Sequence, residues 1–164
     1  MQYAGDSMTT HQKWMQQAIA LATENVRSRN GGPFGAVITR GEDLIATGVN
    51  LVTATNDSTA HAEVVAIRNA CSALAQIQLQ GCTLYTSCEP CPMCLAACYW
   101  AHLDAVYYGN TSADAAAAGF DDAALYKELA LPASDRKLAM YPLLRDEAQD
   151  SFRVWQASDL EIDY

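Results

Sequence analysis

Apolar and polar residues alternate along the chain with two different periods, which predict helices and strands in turn. Over residues 11–27 the apolar side chains recur at helical spacing, on the face formed by Trp14, Ala18, Leu21 and Ala22. The Asn-Gly-Gly-Pro stretch at 30–33 ends this helix. Two strand-like segments follow, Phe34–Thr39 and Leu44–Val49, joined by a turn around Gly41-Glu42-Asp43. The pattern predicts a β-hairpin.

The middle of the chain continues as alternating helix and strand. Pro90 and Pro92 suit only the start of a helix, so a helix is expected to open just after them. The predicted elements are a helix from near residue 61, a strand at 82–86, a helix from about 91 to 101 and a strand at 105–108. Alternation of this kind after an opening hairpin predicts an α/β layered domain with a mixed sheet.

The last third of the chain is predicted to be mainly helical. Helices are expected after Thr111, near 121–130 and at 144–156, with a possible strand at 137–141. In the last helix the face that we expect to be buried carries Leu144, Ala148, Phe152 and Trp155.

Length and charge narrow the range of functions. A chain of 164 residues predicts one domain with its own core. The net charge of −9, with only ten basic residues, argues against a protein that grips a phosphate backbone and favours a small substrate. It does not exclude a local basic groove. No apolar run reaches the roughly 18 residues of a membrane span, and the first twelve residues do not read as a secretory signal. A cytoplasmic location without membrane association is therefore expected.

The six cysteines are read as thiols or metal ligands, because the domain is large enough to fold without disulfides. Cys71, Cys82 and Cys98 lie in apolar stretches and are predicted to be core residues, while the role of Cys88 stays open. His11 and His102 are expected to be surface or capping residues.

Two short segments carry the chemistry. They are His61-Ala62-Glu63 and, 27 residues later, the run Pro-Cys-Pro-Met-Cys that ends at Cys94. The spacing H-x-E … P-C-x-x-C is typical of zinc deaminases. Cys91 and Cys94 lie at a helix start, whose positive end favours their thiolate forms. His61 adds a third ligand, which leaves the fourth position of a catalytic zinc ion for water. Glu63 lies close enough to act as the general acid and base.

A purely structural zinc site is the bland alternative. Such a site usually has a fourth cysteine or histidine close by, and His11 and His102 both lie outside the motif. A zinc-stabilised binding module would also leave Glu63 without a purpose. We therefore favour a catalytic site.

On these residues the chain resembles the cytidine deaminase-like superfamily, and within it the bacterial guanine deaminases. The similarity runs from about Trp14 to the end of the chain. Its strongest blocks are GGPFGAVI at 31–38, TAHAEVVAIR at 59–68, LYTSCEPCPMCL at 84–95 and AGFDD at 118–122. The first three are shared with tRNA adenosine deaminases, whereas the last points to guanine deaminases.

The resemblance implies a three-layer α/β/α fold with a five-stranded mixed sheet, in one domain spanning residues 1–164. It also implies a homodimer in which the C-terminal segment, about 143–164, is exchanged between subunits. By motif, the residues implied to contact the substrate are Phe34, Asn50, Ala62, Asp122 and Tyr164. Each has a simpler reading: Asn50 could shape a turn, Phe34 could belong to the core, Asp122 could start a helix, and Tyr164 could be a loose chain end.

The leading functional prediction is hydrolysis of guanine to xanthine and ammonia by a zinc-activated hydroxide, with one zinc ion per chain. The expected partner is a small purine, and nucleic acid is not expected. A tRNA adenosine deaminase shares the motif but needs room for a flipped base and its backbone. A guanosine or ammeline deaminase of the same fold also stays open.

Overall fold

The computed structural model describes residues 8–160 and 162, and these divide after Asp122 into two compact units. The first unit contains four strands and five helices among its described residues. They are α1 (Thr10–Arg27), β1 (Gly35–Arg40), β2 (Asp43–Val49), α2 (Val52–Thr55), α3 (Ala62–Leu74), β3 (Cys82–Cys88), α4 (Pro92–Trp100), β4 (Ala105–Asn110) and α5 (Ser112–Ala117). The second unit contains α6 (Ala123–Ala130), a 3₁₀ turn (Ala133–Asp135) and α7 (Arg145–Gln156).

The strands form one mixed sheet in the order β2-β1-β3-β4. Strand β1 pairs antiparallel with both β2 and β3, and β3 pairs parallel with β4. The predicted hairpin is confirmed, with Gly41 at a positive φ of 60° in its turn. The short helix α2 was not expected from the sequence.

The predicted fifth strand is absent from the part of the chain that the structure describes. Leu138 and Met140 alternate with other residues as in a strand, but residues 137–141 form irregular chain, and both side chains are exposed. A strand needs a neighbour to complete its hydrogen-bond ladder, and a period of two cannot supply one. The α/β class is correct, and the count of five strands is wrong for the described residues.

Helices cover both faces of the sheet because successive strand side chains point to opposite sides. On one face Val37 and Tyr85 pack against Trp14 and Ala18 of α1. On the other face the core contains Ala36, Ile38 and Leu84 from the strands, Ala62, Ala66 and Ala70 from α3, and Cys98 from α4. This arrangement matches the predicted layering.

A glycine sets how closely α3 approaches the sheet. A Cβ atom on Gly48 in β2 would lie 2.2 Å from the carbonyl oxygen of Ala62 and 2.5 Å from the amide nitrogen of Ala66. No side chain fits in that space. The first turn of α3 can therefore lie directly on β2, and this contact positions the two residues that flank Ala62.

Most of the predicted core and surface positions are confirmed. Cys82 and Cys98 are buried, and Cys71 is half-buried. His102, at a positive φ of 53°, donates its N–H to Tyr99 and so caps the end of α4. His11 is exposed and stacks on Tyr107.

The second unit differs from the prediction at its last helix. Leu144, Ala148, Phe152 and Trp155 were expected to be buried, yet all four are exposed, and Phe152 is 62% exposed. The helix is amphipathic, but among the described residues of the unit its apolar face stays exposed. Amphipathicity predicts that one face of a helix packs against apolar surface, but it does not identify that surface.

None of the described helices is both long enough and apolar enough to span a bilayer.

Candidate metal centre and active site

Two helix N-termini bring the predicted metal ligands together. His61 is the N-cap of α3 and Cys91 is the N-cap of α4, both with extended backbone. Neither side chain makes a capping hydrogen bond to its own helix, so both are free for another role. Pro92 starts α4 because its fixed φ suits the first helical position. Cys94 follows in the first turn of α4 and is fully buried.

The three ligand atoms have the spacing of a tetrahedral zinc site. The Sγ atoms of Cys91 and Cys94 lie 3.6 Å apart. The Nδ1 atom of His61 lies 3.6 Å from the first sulfur and 3.5 Å from the second. Ideal tetrahedral zinc separates two sulfurs by about 3.8 Å and a sulfur from a nitrogen by about 3.6 Å. The donor set and its spacing fit zinc, and the group has three members, which leaves one position open.

The two thiols affect each other strongly. The neighbouring Cys94 sulfur lowers the pKa of Cys91 to about 4, while the same contact and burial raise the pKa of Cys94. The contact with Cys91 raises the pKa of His61. The pair by itself thus favours a single negative charge. A divalent cation between the sulfurs would stabilise two thiolates, as zinc coordination requires.

Glu63 lies beside this group but is not part of it. It occupies the first turn of α3 and is only 4% exposed, and burial raises the pKa of its carboxyl group. The Thr86 hydroxyl donates to Glu63 Oε1 at 3.1 Å. Thr86 was missed in the sequence analysis, and its one signal there is a hydroxyl at the end of the strand predicted at 82–86. One carboxylate oxygen is thus held in place near the candidate metal ligands.

A cavity of about 490 Å³ opens beside His61. Its lining residues are Arg29, Gly31, Gly32, Asn50, Val52, Thr53, His61 and Phe120. Asn50 and the candidate zinc ligand His61 therefore line the same cavity. Pockets of this size commonly hold small organic ligands.

Asn50 has features of both readings that the sequence left open. Its Oδ1 accepts a hydrogen bond from the Val52 amide at 3.3 Å, which shapes the turn after β2. Its Nδ2 makes no hydrogen bond within the described part of the chain. Asn50 can therefore shape the turn and still offer a donor to a ligand in the cavity.

One aromatic ring, that of Phe120, lines the cavity, and a second ring packs against it. Phe34 is half-buried, and its ring packs edge-on against Phe120 with centroids 5.0 Å apart. Phe120 lies in the AGFDD block, but its position on the cavity wall could not be inferred from periodicity. The Phe120 ring gives the cavity an apolar surface, and Phe34 supports that ring from behind the cavity lining.

The other residues predicted to contact the substrate are Asp122, Ala62 and Tyr164, and the first two differ in exposure. Asp122 is half-exposed, and partial burial, followed by the charge of Cys91, raises its pKa, which places the carboxylate within electrostatic range of the site. Ala62 is fully buried. Tyr164 lies outside the described residues. Cys88 is buried, and burial raises its pKa to about 11, which suits an unreactive thiol.

These features define a zinc-binding deaminase site, and comparison with known families agrees. The model of the cytidine and deoxycytidylate deaminase zinc-binding region matches residues 8–110. The chain belongs to this family. The resemblance drawn from the motifs is confirmed.

Within the family, one relative covers almost the whole chain. The chain is 51% identical to the guanine deaminase of Bacillus subtilis (strain 168) over 146 residues, which are 89% of this chain and 94% of that protein. A crystal structure of guanine deaminase from Bacillus subtilis superimposes with a TM-score of 0.91 at 49% identity, covering 94% of this chain and 98% of that one. The α/β cytidine deaminase-like fold is confirmed by this similarity.

A second kind of relative covers less of the chain. The tRNA-specific adenosine deaminase of Agrobacterium fabrum is 40% identical over 102 residues, which are 62% of this chain and 66% of that protein. The part of the chain that matches this tRNA-specific deaminase is therefore shorter than the part that matches the guanine deaminase.

Proposed function

We propose that the protein hydrolyses guanine to xanthine and ammonia. The observation that carries the proposal is that the candidate zinc ligand His61 and the side chain of Asn50 line the same cavity. The similarity to a guanine deaminase over most of the chain supports the choice of base. The reaction consumes one water molecule and releases one ammonia for each guanine.

His61, Cys91 and Cys94 would hold one zinc ion per chain. Bound there, the ion supplies a Lewis acid that makes a water molecule acidic near neutral pH. The chain's own contribution is to hold three ligand atoms at tetrahedral spacing and to leave the fourth position accessible.

Glu63 carries the protons in this proposal. Its carboxylate accepts one proton from the attacking water and delivers it to the ring nitrogen, and it then transfers the second proton, from the added hydroxyl, to the departing amino group. The Thr86 hydroxyl holds one oxygen of Glu63 and leaves the other available for the transfer. Burial raises the proton affinity of the carboxyl group, which suits a group that must take up a proton and give it away.

The base is held by the cavity wall. Asn50 can donate to the polar edge of the purine, and Phe120, supported by Phe34, can contact its ring. Asp122 would accept a hydrogen bond from an amino or ring N–H of the base, and the backbone of Ala62 lies at the start of α3, where amide groups lack helical partners. These contacts would select a base with donors and acceptors in the right order.

The C-terminal segment belongs to the same proposal. Residues 123–160 and 162 contain many apolar side chains, and none of them is buried. We propose that about residues 143–164 dock on the second subunit of a homodimer and that Tyr164 helps to close the active site there. This would give the exposed face of α7 an apolar partner.

A tRNA adenosine deaminase is the alternative reading. The net charge of −9 gives no general attraction for a phosphate backbone. The tRNA-specific relative also matches only 62% of the chain. We therefore place nucleic acid second to a free purine.

The decisive experiment measures ammonia release from guanine, guanosine, adenine, ammeline and a tRNA anticodon hairpin. Guanine should exceed adenine in kcat/KM by a factor on the order of 10³, because a site built for a polar edge rejects analogues that lack it. A Glu63→Ala preparation serves as the blank for contaminating deaminases. Faster turnover of the hairpin than of guanine would refute the substrate assignment.

A further inference from the structure

Asn25, near the end of α1, is a buried polar residue that no motif singles out. Its Nδ2 donates to the carbonyl oxygens of Gly32 at 2.8 Å and Asn50 at 2.9 Å. Its Oδ1 accepts from Asn30 Nδ2 at 2.9 Å. Both ends of the side-chain amide are therefore engaged, and it joins three separate positions of the chain.

Two of these partners line the cavity beside His61, although Asn25 itself does not. Gly32 belongs to the loop between α1 and β1, and Asn50 follows β2. The amide N–H of Asn50 also donates to the Phe34 carbonyl at 3.1 Å. The backbone of Asn50 is thus tied on one side to Phe34 and on the other side to Asn25.

Gly31, in the loop between α1 and β1, lies directly against the hydrogen bond from Asn25 Nδ2 to the Asn50 carbonyl oxygen. A Cβ atom on Gly31 would lie 2.1 Å from the Asn50 carbonyl oxygen and 3.0 Å from Asn25 Nδ2. No side chain is possible there without moving the backbone of Asn50. The loop, Asn50 and Asn25 therefore form one closely packed unit at the cavity.

We propose that Asn25 is a positioning residue for substrate binding, whose amide fixes the loop at 31–32 against Asn50 and so holds the side of the cavity that these residues line. The inference rests on the proposed function, because it assumes that a base binds in this cavity. Asparagine suits the position because it donates two hydrogen bonds without carrying a charge. An aspartate of the same shape would donate none and would face two carbonyl oxygens.

The test compares Asn25→Asp, Asn25→Ala and Asn30→Ala with the unmodified enzyme. KM for guanine should rise about 10-fold in the first two variants, because two buried hydrogen bonds are lost, and less in Asn30→Ala. The kcat should change much less, since binding is lost without loss of the proton carrier. Zinc content should be unchanged in all three variants. Asn30 is exposed, so this variant keeps the test open if a change at Asn25 prevents folding.

Asn69→Ala is the matched control. Asn69 also donates its amide to a backbone carbonyl, that of Thr47 in β2 at 2.9 Å, but it lines no part of the cavity. Its KM should equal that of the unmodified enzyme. The inference would be refuted if the Asn25 and Asn30 variants, like Asn69→Ala, kept the KM of the unmodified enzyme and lost only melting temperature.

Binding of guanine to zinc-loaded Glu63→Gln, measured by calorimetry with and without the Asn25 change, gives a readout that does not depend on turnover. A weaker Kd in the double variant supports the inference, and an unchanged Kd contradicts it. Failure of the proposed function is a different result, in which the unmodified enzyme releases no ammonia from guanine. The same comparison is then made with whichever base of the panel the enzyme prefers.

Discussion

The two units of the chain satisfy their apolar side chains in opposite ways. In the first unit, Ile38 and Leu84 of the sheet are fully buried between helices. In the second unit, Phe152 is 62% exposed and Trp155 is 39% exposed. The first unit therefore has its own core, and the second has none among its described residues.

This difference corresponds to a division of roles. All three candidate zinc ligands, Glu63 and the cavity lie before residue 123, on elements held by the core. The second unit offers apolar surface instead of chemistry. Exposed apolar surface of this extent in a small unit is typical of a segment that packs on a partner.

Loss of a zinc ligand should have the largest effect. Cys91→Ala or Cys94→Ala removes one of three protein ligands, so zinc content and activity should both fall to background. Metal analysis and ammonia release measure the two quantities. Cys71→Ala is the control, because this half-buried thiol lies outside the ligand group and should leave one zinc per chain. Full zinc occupancy in both ligand variants would mean that the ligands are misassigned.

Loss of the proton carrier should be second. Glu63→Ala should lower kcat by about 10²–10⁴-fold while zinc content stays at the unmodified level, since no ligand is removed. Glu24→Ala, at an exposed position of α1, is the control and should turn over normally. A Glu63→Ala enzyme within a few-fold of the parent would remove the proposed role.

Removal of the tail should be third and should separate the two units. Deleting residues 159–164 should leave zinc content intact, because all three candidate ligands lie in the first unit, and should lower turnover on the order of 10²-fold by leaving the base poorly held.

The exchange itself is tested by co-expressing the tail-deleted chain with full-length Glu63→Ala. A mixed dimer then has one site with an intact Glu63 and a tail from the other subunit, so activity should rise well above either parent. If each tail serves its own chain, every site lacks one component. Verified mixed dimers without recovered activity would exclude the exchange.

The smallest effect is expected at Asp122. Asp122→Ala should lower kcat/KM for guanine by about 10-fold, because it removes one hydrogen bond to the substrate. Asp121→Ala, at the neighbouring exposed position, is the control and should cost less. Equal effects of the two changes would place Asp122 outside the substrate site.

The candidate metal ligands could be predicted from the sequence because their chemistry depends on residues that are neighbours along the chain. Cys91-Pro92 and His61 are each read as a helix start, and helix starts favour thiolates and metal ligands. The structure places both at N-caps, so the local prediction was correct. Thr86, Phe120 and Asn25 could not be found in this way, because each acts through a neighbour that is distant in sequence. Asn25 and Asn50 are 25 residues apart, and only the packing of α1 on the sheet joins them.

By itself, the sequence determined the helix and strand periods, the hairpin, the two helix starts and the ligand types, since each depends on residues close together along the chain. Only the tertiary structure decided the number of strands, the distances among three ligand atoms and the cavity that joins His61 to Asn50. The physical reason is that a strand needs a partner and a helix face needs a surface, and both can lie anywhere along the chain. The segment at 137–141 has the period of a strand without a strand beside it, and α7 has an apolar face without a core of its own.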